Sequence, residues 1–470
     1  MKNIILIFSS LFLFNSCIND ELDFGTSNTN ENYIVLTGDL KTQTLSKDFR
    51  YLIKGQTFVR DGAVLTLEPG TVVFGDKASK GTLVIDLGGK IIAEGTAAEP
   101  IVFTSSQKSE SRDRGDWGGI VILGKARVNQ PNAVIEGISP AIIYGGADDN
   151  DNSGILKYVR VEYAGIELTP NNETNSITMG GVGKGTTMEY CQVSYGGDDG
   201  FEWFGGTVNG KYFISLGMWD DCYDIDYGWS GHLQFALSVR YPSFADQSGS
   251  NIIETDSAPS DTNPAGNFYT TGVVSNLTGI GPIYQRVNNA YNSVSGNYQH
   301  CIDMRRYTSL TIANSVFVGM PRGIRFNQNS AYERYVGSNI TGYLLNNIMS
   351  APATTYSIGT ASNSFPNYTA ANIGVLWTAT NTIDTSTNVQ DYYTTTLGIN
   401  PNTFYGANTT NFYPLNPTFE VTSGLLLSGA AFTNAKLQNT FFESVSYRGA
   451  FGTIDWTNRW AEFVPNLKQY

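Results

Sequence analysis

Tyr158-Val-Arg-Val-Glu-Tyr-Ala-Gly165 returns as Tyr190-Cys-Gln-Val-Ser-Tyr-Gly-Gly197, 32 residues further along the chain. Asp198-Asp-Gly-Phe-Glu202 returns as Asp220-Asp-Cys-Tyr-Asp224, 22 residues on. Self-similarity at 20–50 residues marks stacked repeats. A repeat of this length, made of short strands joined by tight corners, is one coil of a parallel solenoid. Unequal spacing then means loops inserted at the corners. Each repeat buries its apolar side only against its neighbours, so roughly 10 to 20 coils can form one body from the 470 residues. The expected fold is therefore all-β: a single-domain right-handed parallel β-helix with a C-terminal cap.

Composition agrees. Apolar runs are short and recur from Tyr33 onward, glycine is abundant at 50 residues, and charged residues make up only 15%. Sandwiches and barrels show longer strands with strict alternation. Convincing amphipathic helices are nearly absent. Working outward, residues 33–350 are expected to be regular coils. Leu344-Leu-Asn-Asn-Ile-Met349 reads as one of the last. From Ala351 the chain turns to Thr, Asn, Ser and Tyr, so residues 351–470 are expected to hold late coils, wide loops and the cap. Trp456, Trp460 and Phe463 are expected to cover the open end of the apolar axis, since an uncovered last coil is a bare sheet edge.

The N-terminal residues read as a signal peptide, Met1–Ser16. Lys2 is charged, and Ile4–Phe14 is apolar but shorter than the roughly 20 residues a membrane helix needs. Phe14-Asn-Ser-Cys17 resembles the lipobox of bacterial lipoproteins, which implies lipidation of Cys17. Ile18-Asn-Asp-Glu-Leu-Asp23 resembles the acidic export tag of lipoproteins sent to the outer leaflet in Bacteroidota. Residues 17–32 are expected to be a lipidated cysteine and a flexible acidic tether. The expected location is the outer membrane, lipid-anchored and facing outward.

Two further blocks carry a family resemblance. Gly62-Ala-Val-Leu-Thr-Leu-Glu-Pro-Gly-Thr71 and Leu87-Gly-Gly-Lys-Ile-Ile-Ala-Glu-Gly-Thr96 look like the opening coils of bacterial right-handed β-helix proteins. Gly115-Asp-Trp-Gly-Gly119, the run Tyr195–Gly206, and Tyr447–Gly452 with Asp455-Trp456 resemble a group of β-helix lipoproteins of the Bacteroidota type. That resemblance implies the fold and brings no agreed activity.

A formal net charge of −13 argues against DNA or RNA as partner, since that affinity comes from neutralising phosphates. With Cys17 lipidated, Cys191, Cys222 and Cys301 remain. They are expected to be buried thiols, or to leave one disulfide whose pairing spacing cannot name. There is no CxxC, and His232 and His300 are the only histidines, so a zinc site is not expected. The Gly-Gly pairs precede no helix and are not phosphate loops. Asp256-Ser257-Ala258 resembles a short O-glycosylation site.

The richest chemistry lies in Asp198, Asp199, Glu202, Asp220, Asp221, Asp224 and Asp226, with Lys211 the one basic residue among them. A 22-residue coil stacks Glu202 over Asp224 at about 4.8 Å. Carboxylates so close need protonation or a cation, and Ca²⁺ takes six to eight oxygens. Turn formation competes as an explanation, because Asp favours tight corners. Trp203, Trp219, Trp229 and Tyr223 sit among these acids and are candidate sugar-stacking residues, with core packing as the alternative.

Three functions follow as expectations. The first is a surface binder of a glycan or other extracellular ligand, working beside a TonB-dependent transporter or other outer-membrane barrel. The second is a polysaccharide hydrolase or lyase. Gly197-Asp-Asp199 and Asp220-Asp221-Cys222, followed by Gly231-His232, resemble the polygalacturonase set, with Arg305-Arg306 standing only loosely for its Arg-x-Lys motif. A lyase needs Ca²⁺ with a Lys or Arg base, for which Arg322 and Arg325 are candidates that nothing in the sequence places near the acids. The third is a structural or adhesive envelope subunit. No complete catalytic set is present, which favours the binder.

Overall fold

The computed structural model describes residues 33–169, 172–260, 268–284, 286–287, 290–350, 353–361, 365–384, 397–399 and 417–470. The segments expected to be signal peptide and tether, with Cys17 between them, lie outside the described residues. Among those described, no helix is long and apolar enough to cross a membrane.

Strands from Tyr33–Leu40 to Thr382–Ile383 pair in parallel, coil upon coil, in a sheet of 26 strands. The chain winds as a right-handed parallel β-helix, the hand that parallel crossovers adopt. Each coil has three sides. One side stacks Val159–Glu162, Cys191–Ser194, Phe213–Leu216 and Ala236–Val239. The second stacks Ile177–Gly180, Phe201–Phe204, Tyr223–Asp226 and Ile253–Thr255. The third carries His232–Gln234 against Val273–Ser275 and these against Thr311–Ala313.

Alternation along each strand sends every second residue into the lumen. On the second side these are Ile177 and Met179, Phe201 and Trp203, Tyr223 and Ile225, all at most 2% exposed. Rings stack inside: Phe201 lies 4.5 Å from Phe213 and 5.8 Å from Tyr223, and Trp203 lies 5.5 Å from Trp229. Trp117 of the Gly115–Gly119 block fills an early coil and donates from Nε1 to the Glu162 carbonyl at 2.8 Å. Gly75 makes room for it, because a Cβ there would lie 2.3 Å from Trp117 Cγ.

The corner between the third and first sides has an unusual backbone. Tyr158, Tyr190, Tyr212, Phe235, Asn276, Asn314 and Asn346 all have φ between 49° and 61°. Asparagine tolerates this region, but bulky residues seldom occupy it. Stacking across coils holds the aromatic ones. Tyr158–Tyr190 and Tyr190–Tyr212 centroids are 4.4 Å apart, and Tyr212–Phe235 are 5.2 Å apart.

This aromatic ladder explains where the C-terminal segment goes. Trp456 and Trp460, expected to close the end of the coil together with Phe463, lie along its flank instead. Trp460 sets its edge against Tyr158 and Tyr190, and Trp456 packs on Tyr212. Phe463 packs in the same flank cluster as Tyr195. The segment runs against the coil order. Asn276 Nδ2 donates to the Tyr447 carbonyl, Gln192 Nε2 to the Glu462 carbonyl, and Tyr470 Oη to Glu162 Oε1. The ladder gives the tail a continuous aromatic flank to pack against. The end is covered by helix Ala370–Thr378, which rests on Thr354–Thr360 and Thr382–Ile383 and inserts Ile373 and Trp377 into the main core.

Candidate functional site

The second side of the coil carries the chemistry. Its outward residues are brought into line by strand register. Thr178 pairs with Glu202, Glu202 with Asp224, Asp224 with Glu254, Glu254 with Asp303, Asp303 with Arg325, and Arg325 with Ser357. Four carboxylates in a row thus lead into a guanidinium. Asp226 and Asp256 lie on the neighbouring outward track, where the Asp256 amide donates to the Ile225 carbonyl.

At the preceding corner the aspartates build the turn. Asp199 Oδ1 accepts from the Asp221 amide at 2.8 Å. Asp221 Oδ1 accepts from the Asn251 amide, and Asn251 Oδ1 accepts from the His300 amide at 2.9 Å. One side-chain oxygen per coil satisfies the next coil's backbone N–H. Asn251 Nδ2 also donates to Asp221 Oδ2 at 3.3 Å. Turn chemistry therefore accounts for both oxygens of Asp221 and for one of Asp199, and leaves the strand carboxylates to other uses.

Charge divides the stripe in two. Its later half is neutralised: Arg305 pairs with Glu254, Arg306 with Asp256 and Arg325 with Asp303. In its earlier half Asp198, Asp199, Glu202, Asp220, Asp221, Asp224 and Asp226 form no ion pair among the described residues. Lys211, next to them in sequence, is turned to Glu443. Compensation comes only at longer range. Arg240, fully buried beneath the corner and donating to the carbonyls of Asn251, Met218 and Trp219, acts on Asp220 and Asp221, while Arg305 acts on Asp224 and, with Arg306, on Asp226.

The consequence is electrostatic strain. Burial, then neighbouring carboxylates, push Asp198, Asp199, Glu202 and Asp224 well above the usual acid range. Asp220 rises to about 8, and Asp221 and Asp226 to about 7, for the same reasons. Enclosed Oδ1 atoms of Asp220, Asp224 and Asp226 have no hydrogen-bond partner among the described residues. Asn175 also brings an enclosed, unpartnered Oδ1 to this place while its Nδ2 donates to Glu202.

These residues fit a hard cation. Asp199, Glu202 and Asp224 each offer an oxygen within 4.8 Å of the others, as do Asp198, Asp199 and Asp220. Oxygens on opposite sides of a Ca²⁺ ion lie about 4.8 Å apart, twice its usual bond length of about 2.4 Å. The donor set is all oxygen, the preference of Ca²⁺.

The aromatic candidates separate by the same alternation. Trp203, Trp229 and Tyr223 are at most 2% exposed, face the lumen and pack there, which corrects their expected part in ligand contact. Glu202 and Asp224 point outward, so their strand neighbours Trp203 and Tyr223 must point inward. Trp219 alone of the four reaches the surface. Arg114 lies 3.6 Å over its ring, and its Nε1 donates to Asp246 Oδ1.

Other motifs resolve plainly. His232 sits in a cleft lined by Arg127, Asp149, Lys184, Thr207, Asn209, Ser230 and Asn439 and by none of the seven acids, so the polygalacturonase-like set is not assembled. Arg325 does share the acidic face, contrary to its remote placement in the sequence. Cys191, Cys222 and Cys301 are buried free thiols. Ser257 is fully buried, so the Asp256-Ser257-Ala258 motif does not present a glycosylation site. Glu254, Asp256 and Asp303 escaped the sequence reading. Their signal is alternation: Tyr223-Asp-Ile-Asp226, Ile253-Glu-Thr-Asp256 and Ile302-Asp-Met-Arg305 share one pattern.

A charged stripe along one side of a parallel β-helix is where comparison with known proteins becomes informative. Residues 38–393 match the model of the pectate-lyase-like β-helix domain. The chain belongs to that family. No curated protein and no solved structure matches it. Membership in the pectate-lyase-like β-helix family agrees with a role in binding or degrading polysaccharide, and the family match spans the acidic stripe and its arginines.

Proposed function

We propose that this chain is a lipid-anchored polysaccharide-binding protein of the bacterial outer surface, whose acidic face holds Ca²⁺ and engages ligand beside it. One observation carries the reading: seven carboxylates on consecutive coils, two overlapping triplets of them within 4.8 Å, with no ion pair among the described residues. A cation offsets the repulsion and presents open positions to the hydroxyl or carboxylate oxygens of a glycan. Trp219 stands at the edge of this face as the stacking residue. The lipobox-like Cys17 and the acidic residues after it support anchoring at the outer membrane. A surface binder so placed suits partnership with a TonB-dependent transporter.

The test is thermal unfolding with EDTA and then with excess Ca²⁺, followed by a polysaccharide-binding screen in each condition. Binding of Ca²⁺ to the native state alone raises the melting temperature by linkage. The expected result is a rise with Ca²⁺ and polysaccharide retention that EDTA abolishes. Equal melting temperatures and equal retention overturn the proposal.

A second reading, a polysaccharide lyase, is favoured by Arg305, Arg306 and Arg325 sharing the face with the acids. Each of the three is engaged by a carboxylate of the same face, so none is left free to reach a substrate proton. Binding is therefore the stronger reading. Release of unsaturated oligosaccharide from any polysaccharide that binds would reverse the order.

A further inference from the structure

On the neighbouring corner, away from the seven acids of the stripe, Arg127, Asp149, Lys184, Thr207, Asn209, Ser230, His232 and Asn439 line a cleft of about 300 Å³, in which the one carboxylate, Asp149, is paired with Arg127. That volume is at the lower end of small-molecule sites. We propose that this cleft is a second binding site, for a small polyhydroxylated carboxylate such as a sugar acid.

Hydrogen bonds fix the histidine. The His232 backbone N–H donates to Asn209 Oδ1 at 2.9 Å, which sets the orientation of that amide, since a main-chain N–H needs an acceptor. The same Oδ1 lies 2.9 Å from His232 Nδ1, so Nδ1 carries the proton. Nε2 is then a lone pair. It has no partner among the described residues and is not enclosed. Phe441 stacks on the ring at 5.5 Å and Phe442 meets it edge-on at 5.1 Å, which holds it in place.

The charges around the ring keep it neutral. Burial, then Lys436 and Lys184, lower its protonation to about pH 4. Lys436 is occupied by the Thr271 carbonyl at 3.2 Å, and Arg127 by Asp149. Lys184 has no ion pair among the described residues, so it supplies the uncompensated positive charge of the cleft. An ammonium asks for an anion, and a neutral imidazole Nε2 asks for a hydroxyl donor. One ligand satisfies both if it carries a carboxylate and hydroxyl groups. This site is independent of the acidic face, whose charge repels such a ligand.

The protein has two histidines, so ¹⁵N-histidine NMR reads the site directly. The probes are D-glucuronate, D-gluconate, D-glucose and acetate. At pH 7 His232 should show an unprotonated Nε2. Glucuronate or gluconate should shift that signal saturably, while buried His300 stays still. Glucose and acetate should bind at least about 10-fold more weakly. Lys184→Gln should weaken the sugar acid about 10-fold and leave the Ca²⁺-dependent melting shift unchanged, which separates this site from the acidic one. His232→Gln should reduce the sugar acid to the level of acetate. A protonated Nε2, sugar acids no better than acetate, or an unaltered Lys184→Gln variant would each overturn the proposal.

Discussion

Glu202 and Asp224 are register partners on adjacent coils, both facing outward, with Asp199 close enough to share one cation with them. Two strands at parallel spacing cannot hold such a pair ionised without cost. Like charges directly opposite one another on neighbouring strands are destabilising. Here the same side adds Asp226 on the neighbouring track and Glu254 on the next coil.

That cost sets a pH dependence. In the folded state burial and neighbouring acids raise the pKa of Asp220, Asp221 and Asp226 to about 8, 7 and 7. The native state then holds more protons than the unfolded chain between about pH 4 and pH 8, so stability falls as pH rises through that window. In EDTA the melting temperature should drop steadily from pH 5 to pH 8. Saturating Ca²⁺ should flatten the slope, because the ion replaces the protons. Differential scanning calorimetry at four pH values reads both.

Asp224→Asn removes one of the facing charges and keeps the shape. In EDTA at pH 7.5 the variant should be more stable than the parent by about 1 kcal/mol, within the usual span of single substitutions. It should also lose most of the Ca²⁺-induced rise. A variant destabilised in EDTA would mean that the carboxylate serves the fold rather than an ion.

Trp203 and Trp219 should part company. Trp203→Ala opens a void between Phe201, Phe213 and Trp229 and should cost about 3–5 kcal/mol. Trp219→Ala takes away a partly exposed ring and one hydrogen bond to Asp246, and should cost about 1 kcal/mol. Only the second should weaken polysaccharide retention at unchanged fold. Urea unfolding with a parallel binding assay distinguishes them.

Trp460 ties the tail to the aromatic ladder. Trp460→Ala should cost about 3 kcal/mol, since a 1% exposed ring leaves Tyr158 and Tyr190 uncovered. Limited proteolysis should then release the last forty or so residues first, an order-of-magnitude expectation for a segment held by lateral packing. A variant cleaved no faster than the parent would show that the remaining contacts of Phe463 and Tyr470 suffice.

Much of this was legible beforehand. Tyr158 and Tyr190 were matched by similarity and do stack, and the 22-residue offset does bring Glu202 to Asp224. The inward course of Trp203 and Tyr223 was implicit in the outward course of their acidic neighbours. The continuation to Glu254 and Asp303 was hidden by longer corner loops, which break the regular spacing. Of the corner aspartates, Asp221 proved to be a turn former through both oxygens and Asp199 a turn former that also belongs to both cation-sized triplets, a division that residue type alone does not express.

From the sequence alone came the alternation of each strand, the positions of the corners and the coil length wherever no loop intrudes. These depend on neighbours in the chain, through the pleat and through tight-turn chemistry. The tertiary structure decided the rest: Arg325 beyond Asp303, the C-terminal segment laid against the Tyr158–Tyr190–Tyr212 ladder, and His232 set apart from the acids. Each is a relation between residues distant in the chain. Stacking energy is gained only when the coils close on one another, so the length of an inserted loop is invisible to it and the spacing in sequence ceases to report the spacing in space.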